Sequence, residues 1–186
     1  MNGIFEAAKE VQQFCESPRW GSCFMGGVAG LRWGEPRVTR DVDLTLMVGF
    51  GGEERFLSAL LGEFVGRLQD AYEFALRSRV LLLQAGNGVG IDVSLGALPF
   101  EAMAVGRSTY FEFEEGVRLR TCSAEDLVVM KLFAGRALDL QDAEGVVRRQ
   151  VGCFDWAHVR EQIGPLAELK DEASTWANLE RLARLR

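Results

Sequence analysis

Apolar positions recur at helical spacing between residues 3 and 17, at Ile4, Phe5, Ala8, Val11, Phe14 and Cys15. That spacing predicts a helix. Ser17-Pro18 predicts its end, because proline disfavours helical backbone in the residue before it. Cys23 to Met25 reads as a short strand, and Val28 to Trp33 as a helix opening at the Gly26-Gly27 pair. Gly34-Glu35-Pro36 reads as a loop. Over residues 39–48 the period falls to two, with Leu44, Leu46 and Val48 alternating as a strand does, which predicts a strand. Gly49-Phe50-Gly51-Gly52 then predicts a turn. Glu53 to Leu68 predicts a helix whose acidic first turn suits the macrodipole. Val80 to Gln84 reads as a buried strand, Gly86-Asn87-Gly88 as a hairpin turn, and Val89 to Leu95 as the returning strand. Pro99 to Val105 predicts a short helix with proline in its first turn. Tyr110 to Glu114 and Val117 to Arg120 predict a second hairpin around Glu115-Gly116. From Ser123-Ala124-Glu125-Asp126, a capping-box start, the pattern is helical to Arg186. The organisation expected is a mixed α/β core over residues 1–120 and a helical segment over residues 121–186.

The length of 186 residues allows a core that needs no metal or disulfide staple. Apolar residues at 48% and charged residues at 26% are an ordinary globular balance. A net charge of −6 argues against a general nucleic-acid coat. Cys15, Cys23, Cys122 and Cys153 have no metal-ligand spacing, and His158 is the sole histidine, so zinc is not expected. The cysteines read as small buried hydrophobes and His158 as a surface helix residue. Trp156 and Trp176 read as core-facing. No apolar stretch is long enough for a bilayer, and no signal peptide is visible. No membrane association and a cytoplasmic location are therefore expected.

The chemistry is concentrated in Thr39-Arg40-Asp41-Val42-Asp43. Side chains at i and i+2 of a strand share a face, so the carboxylates of Asp41 and Asp43 project side by side. Their repulsion calls for a cation, and hard oxygen donors suit Mg²⁺. Asp92, in Val89-Gly90-Ile91-Asp92-Val93, is a carboxylate in an apolar strand, costly unless paired or metal-bound. If its strand neighbours that of Asp41 and Asp43, three carboxylates converge, enough for two Mg²⁺ ions, with Mn²⁺ as a substitute. Upstream, Gly26-Gly27 between a strand and a helix offers backbone N–H groups to a phosphate. A tight turn is the simpler reading of such a pair.

Gly26-Gly27, Asp41-x-Asp43 and Asp92, in that order, resemble the nucleotidyltransferase superfamily with the DNA polymerase β-like core. The nearer likeness is to its AbiEii-like branch of minimal nucleotidyltransferases, the toxins of type IV abortive-infection and toxin–antitoxin systems. Arg37-Val38-Thr39-Arg40-Asp41-Val42-Asp43 fits that branch's Arg-x-Ser/Thr-x-Asp-x-Asp run. Lys131-Leu132-Phe133-Ala134-Gly135-Arg136, followed by Asp139 and Asp142, fits its Lys-x-x-Ala-x-Arg…Asp-x-x-Asp run. One departure is an apolar residue, Val28, after the second glycine. The resemblance spans roughly residues 20–150.

It implies a mixed, mostly antiparallel sheet flanked by helices and a Mg²⁺-dependent transfer of a nucleotidyl group from a nucleoside triphosphate to an acceptor hydroxyl. The acceptor would be RNA, protein or a small molecule, and an antitoxin protein would be a partner. Asp41, Asp43 and Asp92 would hold the metals, with Asp92 beside the attacking oxygen. Gly26 and Gly27 would hold the triphosphate, and Lys131 would meet the leaving phosphates. Arg37, Arg40, Arg136 and Asp139 would complete the nucleotide site. Plainer readings stand beside these. Asp41 and Asp43 can be a solvated strand end, Arg37 and Arg40 surface charge balance, and Asp139 and Asp142 a helix-start pair. Lys131, on the apolar run Leu127 to Phe133, can snorkel to solvent. A non-catalytic partner of the same fold, or a nucleotide-binding regulator, is the alternative function.

Overall fold

A computed structural model describes residues 3–170 and 172–185; residues 171 and 186 of the expected helical tail lie outside the described residues. The chain forms two compact units, Met1–Val28 with Val38–Cys122, and Ala29–Arg37 with Ser123–Arg186.

In chain order the first unit carries α1 (Gly3–Glu16), β1 (Ser22–Phe24), the opening of α2 (Gly26–Trp33), β2 (Asp41–Met47), α3 (Glu53–Glu63), β3 (Val65–Gly66), α4 (Ala71–Ser78), β4 (Val80–Gln84), β5 (Gly90–Gly96), α5 (Pro99–Arg107), β6 (Thr109–Glu114) and β7 (Val117–Thr121). The strands form one seven-stranded sheet in the order β3-β4-β5-β2-β1-β7-β6. The β2–β5 and β1–β7 pairs are parallel and the other pairs antiparallel. The sheet is thus mixed and mostly antiparallel, as expected.

Alternation along the central strands separates two faces. Val42, Leu44 and Leu46 of β2, Ile91, Val93 and Leu95 of β5, and Leu81 and Leu83 of β4 are buried. Among the intervening positions Asp41, Asp43 and Asp92 are half-buried, and Thr45 is buried. The two central strands are therefore held by an apolar face, and the other face carries the three aspartates.

Two stretches differ from expectation. The helix expected to reach Leu68 ends at Glu63. Phe64 is extended, with φ −111° and ψ 149°, and its N–H caps Leu60 O. The chain then pairs as β3 with β4, Val65 opposite Gln84 and Gly66 opposite Leu83. Gly66 closes tightly on Ala71, whose Cβ would meet a Gly66 Cβ at 2.8 Å, so this edge position calls for glycine. Helix α4, over a stretch whose pattern predicted no element, buries Ala71 and Ala75.

The second unit holds the remainder of α2, α6 (Ala124–Ala134), α7 (Ala137–Arg149), α8 (Trp156–Ala167) and α9 (Glu172–Ala183). Ser123 caps α6, its Oγ accepting from Asp126 N at 3.1 Å. Gly135, with φ 69°, ends α6 in the left-handed region. Residues 34–35 belong with α7: Arg149 donates to Gly34 O, and a Cβ on Gly145 would lie 3.2 Å from Glu35 N. His158 is a correction. It is 7% exposed, and its Nε2 lies 2.7 Å from Oδ1 of the fully buried Asp126. A buried carboxylate needs such a partner, and the helical pattern alone did not reveal it. Cys15, Cys23 and Cys122 are buried, as the sequence suggested, whereas Cys153 is exposed. Burial pushes the Cys15 thiol up to about 12. Among the described residues no helix is long and apolar enough to cross a membrane.

Candidate functional site

Strand β2 fixes Asp41 and Asp43, and β5 fixes Asp92. The parallel register sets Asp43 opposite Asp92 and Asp41 opposite Gly90. Residues paired across neighbouring strands point to the same side, so the three carboxylates share one sheet face. Burial lifts the Asp92 carboxyl above the ordinary range; the Arg67 cation opposes this, and the charges of Asp43 and Asp41 lift it further.

The glycine pair lies against the same strand. Met25 N donates to Asp43 O at 3.0 Å, and α2 opens beside the Asp43 carboxylate. Gly27 N donates to Asp43 Oδ2 at 3.2 Å. Gly26 has φ +50°, and a Cβ there would overlap Asp43 Oδ2; a Cβ on Gly27 would overlap Thr39 Oγ1. Both glycines are therefore required by close approach. The negative group at this helix start is the carboxylate of Asp43, where the macrodipole and a bare N–H favour an anion. Gly26→Ala is expected to destabilise the chain by about 1–3 kcal/mol through the combined overlap and positive φ. A urea midpoint unchanged from the parent would show that the turn tolerates a side chain.

Each of the two facing carboxylates already has a donor. Asp43 takes the Gly27 N–H, and Asp92 Oδ1 takes Nη2 of Arg67. Among the described residues no three acidic, histidine or cysteine side chains are gathered closely enough to hold a metal ion. The donor set and the shared face fit a hard divalent cation. The side chains are turned to other partners, and one of these is itself a cation.

The sequence did not point to Arg67, because it fell inside an expected helix. The clue available was Phe64-Val65-Gly66, an aromatic, a β-branched residue and a glycine, a composition that favours an edge strand over a helix.

The second unit collects the other expected residues. Lys131 does not snorkel. It is 7% exposed, and its Nζ donates to Asp139 Oδ1 and Asp142 Oδ2, both at 2.8 Å. Arg136 donates to Asp139 through Nε at 2.5 Å and Nη2 at 3.2 Å. Arg37 grips Asp142 with Nε at 2.8 Å and Nη2 at 2.9 Å, a bidentate geometry. Three cations thus surround two carboxylates. Arg136 remains 79% exposed in its side chain, while Asp139 is buried. Arg40 is exposed.

Burial pushes the carboxyls of Asp139 and Asp142 up. The hydrogen bonds and charges of Arg136 and Lys131 on Asp139, and of Arg37 and Lys131 on Asp142, outweigh it and hold both below the ordinary 3.8. A carboxyl depressed in the folded state stabilises it above the unfolded value, and that stabilisation is lost as pH falls through the folded value. Urea midpoints should therefore fall below about pH 4. Asp142→Asn should flatten this acid limb. An equal limb in both proteins would locate the acid sensitivity elsewhere.

The second unit also carries an apolar depression of about 310 Å³ lined by Val147, Val151, Gly152, Phe154 and Trp156. None of these side chains is ionisable, so it offers nothing for phosphate or metal chemistry.

No protein-family model matches the sequence, and no curated protein matches it. Solved structures do. The chain is similar to the antibiotic-resistance factor ANT(2″)-Ia, whose solution structure reveals substrate-regulated conformation dynamics. Identity is 15%, 98% of this chain and 97% of that chain are covered, and the TM-score is 0.52. An antigenic nucleotidyltransferase-like protein from Paracoccidioides brasiliensis matches at 15% identity, over 96% of this chain and 93% of that one, with a TM-score of 0.47. JHP933 from Helicobacter pylori matches at 14% identity, over 100% and 92%, with a TM-score of 0.44. At such identities the likeness speaks to the fold. Together with the sheet order, it gives the chain the nucleotidyltransferase fold that its motifs imply.

Proposed function

We propose that the chain is a metal-dependent nucleotidyltransferase acting from the face that carries Asp41, Asp43 and Asp92. The observation that carries this reading is the register of two parallel strands, Asp43 opposite Asp92, with the Asp43 carboxylate touching the glycine pair at the start of α2. The donor set is all carboxylate, which suits Mg²⁺ or Mn²⁺. Asp41 and Asp43 would hold both ions, and Asp92 would complete one of the two sites. Bound there, the ions would supply charge neutralisation for the triphosphate and orientation for the attacking oxygen.

The chain's own residues would do the rest. Asp92, ionised beside the metal ions, is placed as the group that would take a proton. It would accept the proton of the acceptor hydroxyl. That oxygen forms a bond to the α-phosphorus while the bond from the α-phosphorus to the departing pyrophosphate breaks. Gly26 and Gly27 would offer the triphosphate backbone N–H groups beside the Asp43 carboxylate that Gly27 N now meets. Lys131, Arg37 and Arg136, gathered on Asp139 and Asp142, are cations of the kind that would meet a polyanionic tail. Arg40, exposed beside Asp41, adds to that reading, and Asp139 acts through the cations it holds.

The motif likeness to the AbiEii-like branch supports a narrower reading, the toxin half of a type IV toxin–antitoxin pair with a protein antitoxin. A second reading is also favoured by a specific observation. Arg67 occupies Asp92, as a nucleotide-binding regulator without turnover would allow. The test is pyrophosphate release from each of the four triphosphates with Mg²⁺ and pooled RNA, protein or aminoglycoside acceptors. Release that is lost in Asp92→Asn supports transfer. Mg²⁺-dependent nucleotide binding without release supports the regulator, and no nucleotide binding supports a non-catalytic partner.

A further inference from the structure

Arg67 follows β3 directly. Its N–H donates to Leu82 O at 2.9 Å, so it continues the β3–β4 ladder. Leu82 is paired with Asp92, and Asp92 with Asp43. One row across four neighbouring strands therefore runs Arg67, Leu82, Asp92, Asp43, all on the face that carries the carboxylates. The guanidinium crosses Leu82, and its Nη2 donates to Asp92 Oδ1. It also lies over Gly90, where a Cβ would come within 3.0 Å of Nη1. Gly90 is the register partner of Asp41. A glycine there leaves room for a flat cation beside the acidic row.

Resting on the metal-site reading above, we infer that Arg67 is a built-in counter-cation. It holds Asp92 while no divalent ion is bound and withdraws from it when one binds. Three carboxylates at adjacent register positions repel one another, and one guanidinium relieves part of that repulsion. The same oxygen cannot serve the guanidinium and a divalent ion together at full strength, so the two compete for Asp92. Release is cheap for Arg67. Its side chain is about one-third exposed, at 34%, and sits at the sheet edge, where it can turn to solvent. Arg67 is thus a positioning residue that acts through Asp92 and sets the affinity of the site for metal.

The experiment is a titration of the full chain with Mn²⁺ alone, without nucleotide, followed by the electron paramagnetic resonance signal of free Mn²⁺. Arg67→Gln should bind Mn²⁺ about fivefold tighter, the scale of a partly exposed ion pair, and Arg67→Lys should stay near the parent. Gly90→Ala, which crowds the guanidinium while keeping its charge, should also bind tighter, and it carries the test if Arg67→Gln does not fold. In an Asp92→Asn background, Arg67→Gln should change nothing. Equal tightening in that background would mean that Arg67 acts as a general charge, which overturns the competition. Unchanged affinity in both Arg67→Gln and Gly90→Ala, with Asp43→Asn abolishing binding, would overturn the inference and leave the metal site standing. Absence of Asp43-dependent Mn²⁺ binding in every protein would overturn both.

Discussion

Asp43→Asn is expected to keep the fold and to lose Mg²⁺-dependent transfer by about a thousandfold or more. The fold survives because the amide oxygen can still accept the Gly27 N–H that the carboxylate accepts at 3.2 Å. One charge also leaves a face shared with Asp41 and Asp92, which relieves repulsion. Metal-free thermal stability should therefore hold or rise. On the proposed two-ion site, the catalytic loss follows from the removal of a ligand that both ions would share. Metal stabilisation of developing charge is worth several kcal/mol, and each 1.36 kcal/mol is tenfold in rate. A variant that melts early without metal would make Asp43 a structural residue of the α2 start. A variant that turns over normally would remove the metal site from β2.

Lys131→Ala is expected to cost the second unit about 3–5 kcal/mol, toward the lower end. Lys131 is the innermost member of a charge network that includes the buried Asp139 and the partly buried Asp142. Truncation leaves two carboxylates facing fewer cations in a setting where an unmatched charge is expensive. Arg136 and Arg37 remain in place and moderate the cost. The measurement is a urea unfolding curve at neutral pH, with Asp139→Asn in the Lys131→Ala background as the check. Removing one under-compensated carboxylate should recover part of the loss. A curve identical to the parent would return Lys131 to a role as a ligand for phosphate alone. The result also governs how activity data are read, because slow turnover in Lys131→Ala reports on transfer only when measured on folded protein.

Much of this was legible in the residues. Period-two alternation located β2, and the glycine punctuation located the α2 start and the β4–β5 hairpin with its returning strand. Asp41, Asp43 and Asp92 fall on one face because strand periodicity and register leave no other choice once β2 and β5 are neighbours. Three things were not legible. The end of α3 depends on β3 finding the free edge of β4, a long-range pairing that local propensity does not encode. Arg67 reaches Asp92 only through that pairing. The network around Lys131 depends on α6 and α7 packing together. Sequence spacing showed the charges, and only the packed helices show that each carboxylate is shared between cations. His158 failed for the same reason, since its partner Asp126 lies on another helix.

The most direct test of the central claim is a crystal structure of the full chain with Mg²⁺ and a non-hydrolysable nucleoside triphosphate. The account predicts Mg²⁺ bonded to carboxylate oxygens of Asp41, Asp43 and Asp92, the triphosphate against the backbone of Gly26 and Gly27, and Arg67 withdrawn from Asp92. A triphosphate bound away from the glycine pair, with Asp92 still held by Arg67 and no metal on Asp41 or Asp43, would contradict it.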